Sequence, residues 1–217
     1  MPSFDPAIPH RLLAGFHRFR RTRFLAEHER YRRLERAGQR PTHMIIACSD
    51  SRAAPETVFD AEPGEVFVVR NVAGLVPVYE PGVGSQATSA ALEYAVLALE
   101  VPSIVVLGHG RCGGIAAALD DTNPLTPADS LGAWVAGLHD LAAELDFDPQ
   151  DWVDPDRRHR VLELRSVEQS IANLRTFPWV RSREEDGHLT LHGAWFDIGL
   201  GELHGLTPSG WKLLPDA

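Results

Sequence analysis

Residues 103–114 read Ser-Ile-Val-Val-Leu-Gly-His-Gly-Arg-Cys-Gly-Gly. The first half is aliphatic without polar alternation, the pattern of a strand buried on both faces. The second half turns on glycines into Cys112–Leu119, a small-residue stretch that reads as helix. Two further segments share the strand character: His43–Cys48 (HMIIAC) and the β-branched Glu65–Arg70 (EVFVVR). Between and after them, Gly84–Glu100 (with Pro102 just beyond), Ser130–Leu145 and a segment from Pro155 to about Arg175 read as helices, with Asn123–Pro127 as a loop. His188–Phe196 reads as a strand, followed by a turn at Gly199 and Gly201 and a short last strand at Glu202–Leu206. Strands alternating with helices predict an α/β fold with a mostly parallel central β-sheet flanked by helices. In such sheets ligands bind beyond the carboxyl ends of the strands. Cys48 and His109 end the first and third apolar runs, so the expected site lies there.

The chain has 217 residues, 44% of them apolar and 24% charged, with two cysteines and a formal charge of -9. That composition excludes general disorder and a disulfide scaffold, and argues against binding nucleic acid through overall positive charge. No apolar run approaches the roughly 18 residues of a membrane span, and no secretory signal pattern is evident, so the expected location is cytoplasmic. Two parts are expected: residues 1–40, an N-terminal arm and helix, and residues 41–217, a single α/β domain. The first ten residues carry three prolines and read as a loose arm. Residues 11–37 read as one helix ended by Gly38 and Pro41, with an apolar stripe of Leu12, Leu13, Phe16, Phe19 and Phe24. Ten arginines between residues 11 and 40 leave the rest of the chain acidic. Interspersed glutamates favour a solvated or subunit-docking helix over a targeting peptide or a nucleic-acid arm.

The two cysteines each follow a buried strand. His109 and Cys112, three apart on a glycine turn, can place imidazole and thiolate on one cation, and Cys48 can add a third ligand if its strand is adjacent. Two thiolates and an imidazole suit tetrahedral Zn²⁺ with one position open, the mark of a catalytic rather than a structural site. The spacing alone leaves a plainer reading equally open, two unrelated buried thiols. No Cys-x-x-Cys redox motif is present. Beyond Cys48, Asp50 and Arg52 form either a surface ion pair or a bidentate pair that keeps Asp50 ionised and aimed. An ionised carboxylate only accepts hydrogen bonds, so it can orient a hydroxide by taking its proton.

Cys48-Ser-Asp-Ser-Arg52, Arg70-Asn-Val-Ala-Gly74 and Gly108-His-Gly-Arg-Cys-Gly-Gly114, in this order and spacing, resemble the β-class carbonic anhydrases over about residues 39–200. The resemblance implies one Zn²⁺ per chain held by Cys48, His109 and Cys112, with Asp50 and Arg52 as the catalytic dyad. It implies that Gln39, Phe67, Val72, Tyr94 and the backbone N–H of Gly113 contact substrate. The implied reaction is reversible hydration of CO₂ to bicarbonate and a proton through a zinc-bound hydroxide. A homodimer or homotetramer is also implied, with the active site at the dimer interface and the N-terminal helix packed on the neighbouring subunit. One subgroup of the family carries a regulatory bicarbonate site built from a tryptophan, the arginine at position 70 and a tyrosine. Here Ile45 and Phe196 stand in place of the tryptophan and the tyrosine, so an open, water-accepting site is expected.

Competing expectations are a hydrolase of carbonyl sulfide or carbon disulfide on the same scaffold and a non-catalytic zinc-stabilised interaction module. His188, His192 and His204 read as ordinary histidines rather than a second metal site.

Overall fold

The computed structural model describes residues 8–82, 87–119, 125–126, 128–145, 147–148 and 154–215. The chain divides into two compact units, Met1–Arg40 and Pro41–Ala217. The first holds α1 (His10–Arg21) and α2 (Arg23–Ala37). The single helix expected over residues 11–37 is therefore broken, at Thr22, whose backbone leaves helical geometry (φ -119°, ψ -89°). The Thr22 hydroxyl donates back to the Arg18 carbonyl at 2.9 Å, a local bond that competes with helix continuation. The break lets Phe19 meet Phe24 (5.9 Å between ring centroids) and Tyr31 (6.0 Å), which a straight helix keeps apart.

The second unit begins with β1 (His43–Cys48), α3 (Pro55–Val58), β2 (Val66–Asn71) and a 3-10 turn at Val72–Gly74. Next come α4 (Ala87–Glu93), a π turn at Tyr94–Ala98, β3 (Ser103–His109), α5 (Gly113–Leu119) and α6 (Ser130–Glu144). It ends with α7 (Pro155–Leu174), α8 (Pro178–Glu185), β4 (Thr190–Asp197), β5 (Glu202–Thr207) and β6 (Gly210–Leu213). The strands form one sheet in the order β2-β1-β3-β4-β5-β6, parallel through β4 and antiparallel beyond it. This is the α/β architecture expected from the sequence.

The unbroken apolar runs have the predicted cause. Along β1, Met44 and Ile46 enter the main core with Ile104, Val106, Val167, Ile171 and Leu174. Ile45 and Ala47 point to the other face, among Leu107 and Ala194. Burying each large aliphatic side chain contributes roughly 1.5–3 kcal/mol. A third apolar cluster contains Cys48 and Cys112 beside Ile115, Val135, Leu138 and Leu162.

The helix expected at 84–100 is described from Ala87 onward; residues 83–86, like 1–7 of the arm and most of the 123–127 loop, lie outside the described residues. After Glu93 the helix widens: the Leu99 N–H donates to the Tyr94 carbonyl, five residues back, at 3.0 Å. The elements α3, α8, the 3-10 turn and β6 add to those that the sequence predicts.

Candidate metal centre

Parallel register brings the carboxyl ends of β1 and β3 side by side, with Ala47 opposite Leu107. Cys48 closes β1, His109 closes β3, and Cys112 follows on the turn into α5; all three are buried. Their donor atoms lie within 4.8 Å of one another. The two Sγ atoms are 3.8 Å apart, far beyond the ~2.05 Å of a disulfide. Two ligands at ~2.3 Å on tetrahedral corners are separated by about 3.8 Å, so this spacing fits a shared zinc ion.

The imidazole completes the fit. His109 Nδ1 lies 2.9 Å from the Gly110 carbonyl and donates to it, which leaves Nε2 with a lone pair. Nε2 is buried and, among the described residues, has no hydrogen-bond partner. Such an orphan is costly, and a cation between the three side chains satisfies it. Without a metal the two thiols share a proton. The Cys112 hydrogen bond lowers Cys48 to about 4, against the opposing effect of burial. The same bond and burial push Cys112 upward. Burial opposes a charge on His109, yet the neighbouring Cys48 sulfur and the Gly110 carbonyl raise its pKa overall.

Glycines let the turn sit where it does. An added Cβ at Gly108 would lie 2.7 Å from a Val167 methyl of α7, and one at Gly114 would lie 2.8 Å from both Ala73 Cβ and Val72 Cγ1. Between them, Arg111 adopts left-handed backbone (φ +57°) without being glycine.

Asp50 lies next to the donors, its Oδ2 4.0 Å from His109 Nε2. Arg52 holds it: Nε donates to Oδ1 at 3.0 Å, a terminal nitrogen to Oδ2 at 2.7 Å, and the backbone N–H to Oδ1 at 2.9 Å. These bonds hold the Asp50 carboxyl well below the usual carboxylate range. Arg70 braces the same loop, Nε to the Cys48 carbonyl (2.9 Å) and a terminal nitrogen to the Asp50 carbonyl (2.6 Å). Ile45 and Phe196 meet in one apolar cluster.

The remaining sequence-chosen residues separate into groups. Among the described residues, an added Cβ at Gly113 would meet nothing within 4 Å. Val72 is 40% exposed, with its carbonyl accepting the Trp134 indole N–H at 2.8 Å. Phe67 and Tyr94 touch each other (5.9 Å between centroids), but Phe67 is in register with Met44, four positions before Cys48. At ~3.3 Å per residue that is about 13 Å along the strand. Within one chain, therefore, the register sets Phe67 apart from the donors. Gln39 belongs to the N-terminal unit and is exposed there. His188 precedes β4, and His192 bonds Thr190 Oγ1.

Sequence reading missed Glu163, a buried carboxylate that accepts the Cys112 backbone N–H at 3.0 Å. Its signal was the His159/Glu163 pair, one turn apart on a predicted helix; nothing local marked it as buried.

Fold and donors together define a mononuclear thiolate–imidazole metal centre at the carboxyl edge of a parallel sheet. The carbonic anhydrase family profile matches residues 43–203. The chain is 38% identical over 186 residues to the mitochondrial β carbonic anhydrase 6 of Arabidopsis thaliana, covering 84% of this chain and 62% of that protein. It is 37% identical over 195 residues to a carbonic anhydrase of Pseudomonas aeruginosa, covering 90% and 86%. A crystal structure from a study of two tetrameric β-carbonic anhydrases of Sordaria macrospora superimposes with a TM-score of 0.77 at 32% identity, covering 91% and 95%. The chain spans about three-fifths of the length of the two Arabidopsis relatives it matches, 62% and 58%. The chain belongs to the β-class carbonic anhydrase family. Its cofactor is zinc, and Cys48, His109 and Cys112 are positioned so that they could hold a metal ion.

Proposed function

We propose that this protein catalyses the reversible hydration of CO₂ to bicarbonate and a proton, with Zn²⁺ held by Cys48, His109 and Cys112. The observation that carries this reading is the buried Nε2 of His109, without a hydrogen-bond partner among the described residues and close to two thiols, with an ionised carboxylate 4.0 Å away. A structural zinc site has no use for that carboxylate. Zinc at this position supplies the Lewis acidity that makes a water nucleophilic near neutral pH.

The chain's own groups do the rest. Asp50, kept ionised by Arg52, can only accept a hydrogen bond. It therefore holds the nucleophile's proton and turns the oxygen lone pair toward the substrate. The Gly113 N–H, at the start of α5, is assigned the contact to the oxygen that gains charge from the family motif. Val72 contributes an apolar wall, and Gln39 is assigned a substrate contact from the family motif.

Phe67 and Tyr94 are assigned to the wall of the partner's site in a homodimer. The register distance of Phe67 from Cys48 within one chain supports this assignment, as does the 50% exposure of Tyr94. The N-terminal helices are assigned to the same subunit contact, and tetramers of the Sordaria kind are a further assembly. A cytoplasmic location suits a site that needs two reduced thiols.

Zinc stoichiometry combined with stopped-flow CO₂ hydration tests the function. The reading expects one zinc per chain and turnover that disappears on chelation and returns with zinc. A zinc-loaded protein inactive on CO₂ but active on carbonyl sulfide would replace it with the hydrolase reading.

A further inference from the structure

One buried acidic side chain plays no part in that chemistry. Glu163, on α7, is 2% exposed. A carboxylate at that depth persists only when its oxygens are well satisfied. Here Oε1 accepts the Cys112 backbone N–H at 3.0 Å and stands 2.8 Å from His159 Nδ1. Oε2 accepts the Trp195 indole N–H at 3.0 Å. Three elements, the β3–α5 turn, α7 and β4, thus meet on one side chain.

The helix face around it is directed at the same turn. Asp156, His159, Glu163 and Val167 recur at helical spacing, one above another. The Arg111 guanidinium meets Asp156 at 2.6 Å, the Cys112 N–H meets Glu163, and Val167 packs where Gly108 lacks a side chain. The turn needs such support because Arg111 holds left-handed backbone, which a non-glycine residue keeps only when its surroundings over-determine it. Cys112, the next residue, carries a donor sulfur.

We propose that Glu163 is a positioning residue of the metal centre: by binding the Cys112 N–H and the Trp195 indole together, it fixes the turn that aims Cys112 Sγ at Cys48 and His109. The proposal rests on the reading of these three residues as ligands. It concerns how the donor is held, not the chemistry at the open position.

Cobalt(II) loaded in place of zinc gives two readouts independent of turnover: the thiolate-to-cobalt charge-transfer band and the rate of metal release to a chelator. Wild type should take up one cobalt per chain. Glu163→Ala should release it about 10- to 100-fold faster, with a shifted band, as loss of a group that orients a ligand does. Glu163→Gln keeps one acceptor oxygen for two N–H donors, the Cys112 backbone and the Trp195 indole, so one of them meets an amide N–H and release should also quicken. Adding Trp195→Phe removes that conflict and should slow release again, a rescue that general destabilisation does not give. Ser166→Ala, which removes a buried bond to the Glu163 carbonyl without touching Cys112, should lower the melting temperature and leave both readouts unchanged. If Glu163→Ala does not fold, the Gln and Gln/Phe pair decides. Release and spectra within about twofold of wild type in a folded Glu163 variant would overturn the proposal. A wild type that binds no cobalt would overturn the ligand reading and the proposal with it.

Discussion

Arg52 grips both carboxylate oxygens of Asp50 and, through the same terminal nitrogen, donates to the Arg111 carbonyl at 3.0 Å. One guanidinium therefore ties the loop after β1 to the turn that carries Cys112. Asp50→Asn keeps the shape but turns one acceptor into a donor. It should retain zinc and lose about 10²–10⁴-fold in CO₂ hydration. Arg52→Gln leaves the carboxylate without its fork and should lose on the order of 10²-fold, the scale of a small misplacement. Metal analysis beside stopped-flow assays checks both; full turnover in zinc-loaded Asp50→Asn would remove Asp50 from its role.

Because the Asp50 pKa is lowered, its contribution to stability is fully present above the ordinary carboxylate pKa of about 3.9 and is lost only as pH falls through the lowered folded value. Asp50 should therefore put no titration step into the activity profile between about pH 5 and 9. An alkaline shift of the profile's inflection on replacing Arg52 would count against this assignment.

Zinc affinity should rise with pH. In the metal-free protein the raised pKa of Cys112 keeps its proton to high pH, while His109 holds one above its ordinary value and Cys48 is already a thiolate above about 4. Binding expels those protons, so affinity falls as pH falls, about tenfold per unit for each proton released. Chelator competition across neutral pH should give a slope near one on the alkaline side, steepening toward two on the acid side. A flat profile would contradict the thiol–thiolate pair.

Gly108→Ala forces a Cβ to 2.7 Å from Val167 Cγ2. Overpacking of this kind costs about 1–3 kcal/mol. Thermal unfolding should show the loss, and Val167→Ala in the same chain should recover part of it by removing the methyl. Failure of that second change to recover stability would locate the strain elsewhere, with Trp195 Cδ1 at 3.3 Å the next neighbour.

If Phe67 and Tyr94 serve the partner's site, two inactive chains should complement each other. A Cys48→Ser chain keeps its wall, and a Phe67→Ala/Tyr94→Ala chain keeps its donors. Hybrid dimers reassembled from both should regain hydration activity that neither homodimer has. Mixtures that stay inactive although hybrids form would place the wall within one chain.

The strands were legible because burial on both faces needs unbroken apolar sequence, as HMIIAC and SIVVLG are. The donors were legible because two cysteines and one histidine end those strands. The break at Thr22 was not, since it depends on rings from two helices meeting, and no proline or glycine marks it. The short helices α3 and α8 each carry proline in the first turn, a signal that was present. The π turn at Tyr94 and the burial of Glu163 are tertiary outcomes that local sequence does not encode.

Zinc-edge X-ray absorption on the purified holoprotein tests the central claim most directly, because it counts donors by element and distance. Convergence of Cys48, His109 and Cys112 predicts two sulfurs at about 2.3 Å with one imidazole nitrogen near 2.0 Å and a light atom completing the shell. A first shell with one sulfur or none, or with four, would contradict it.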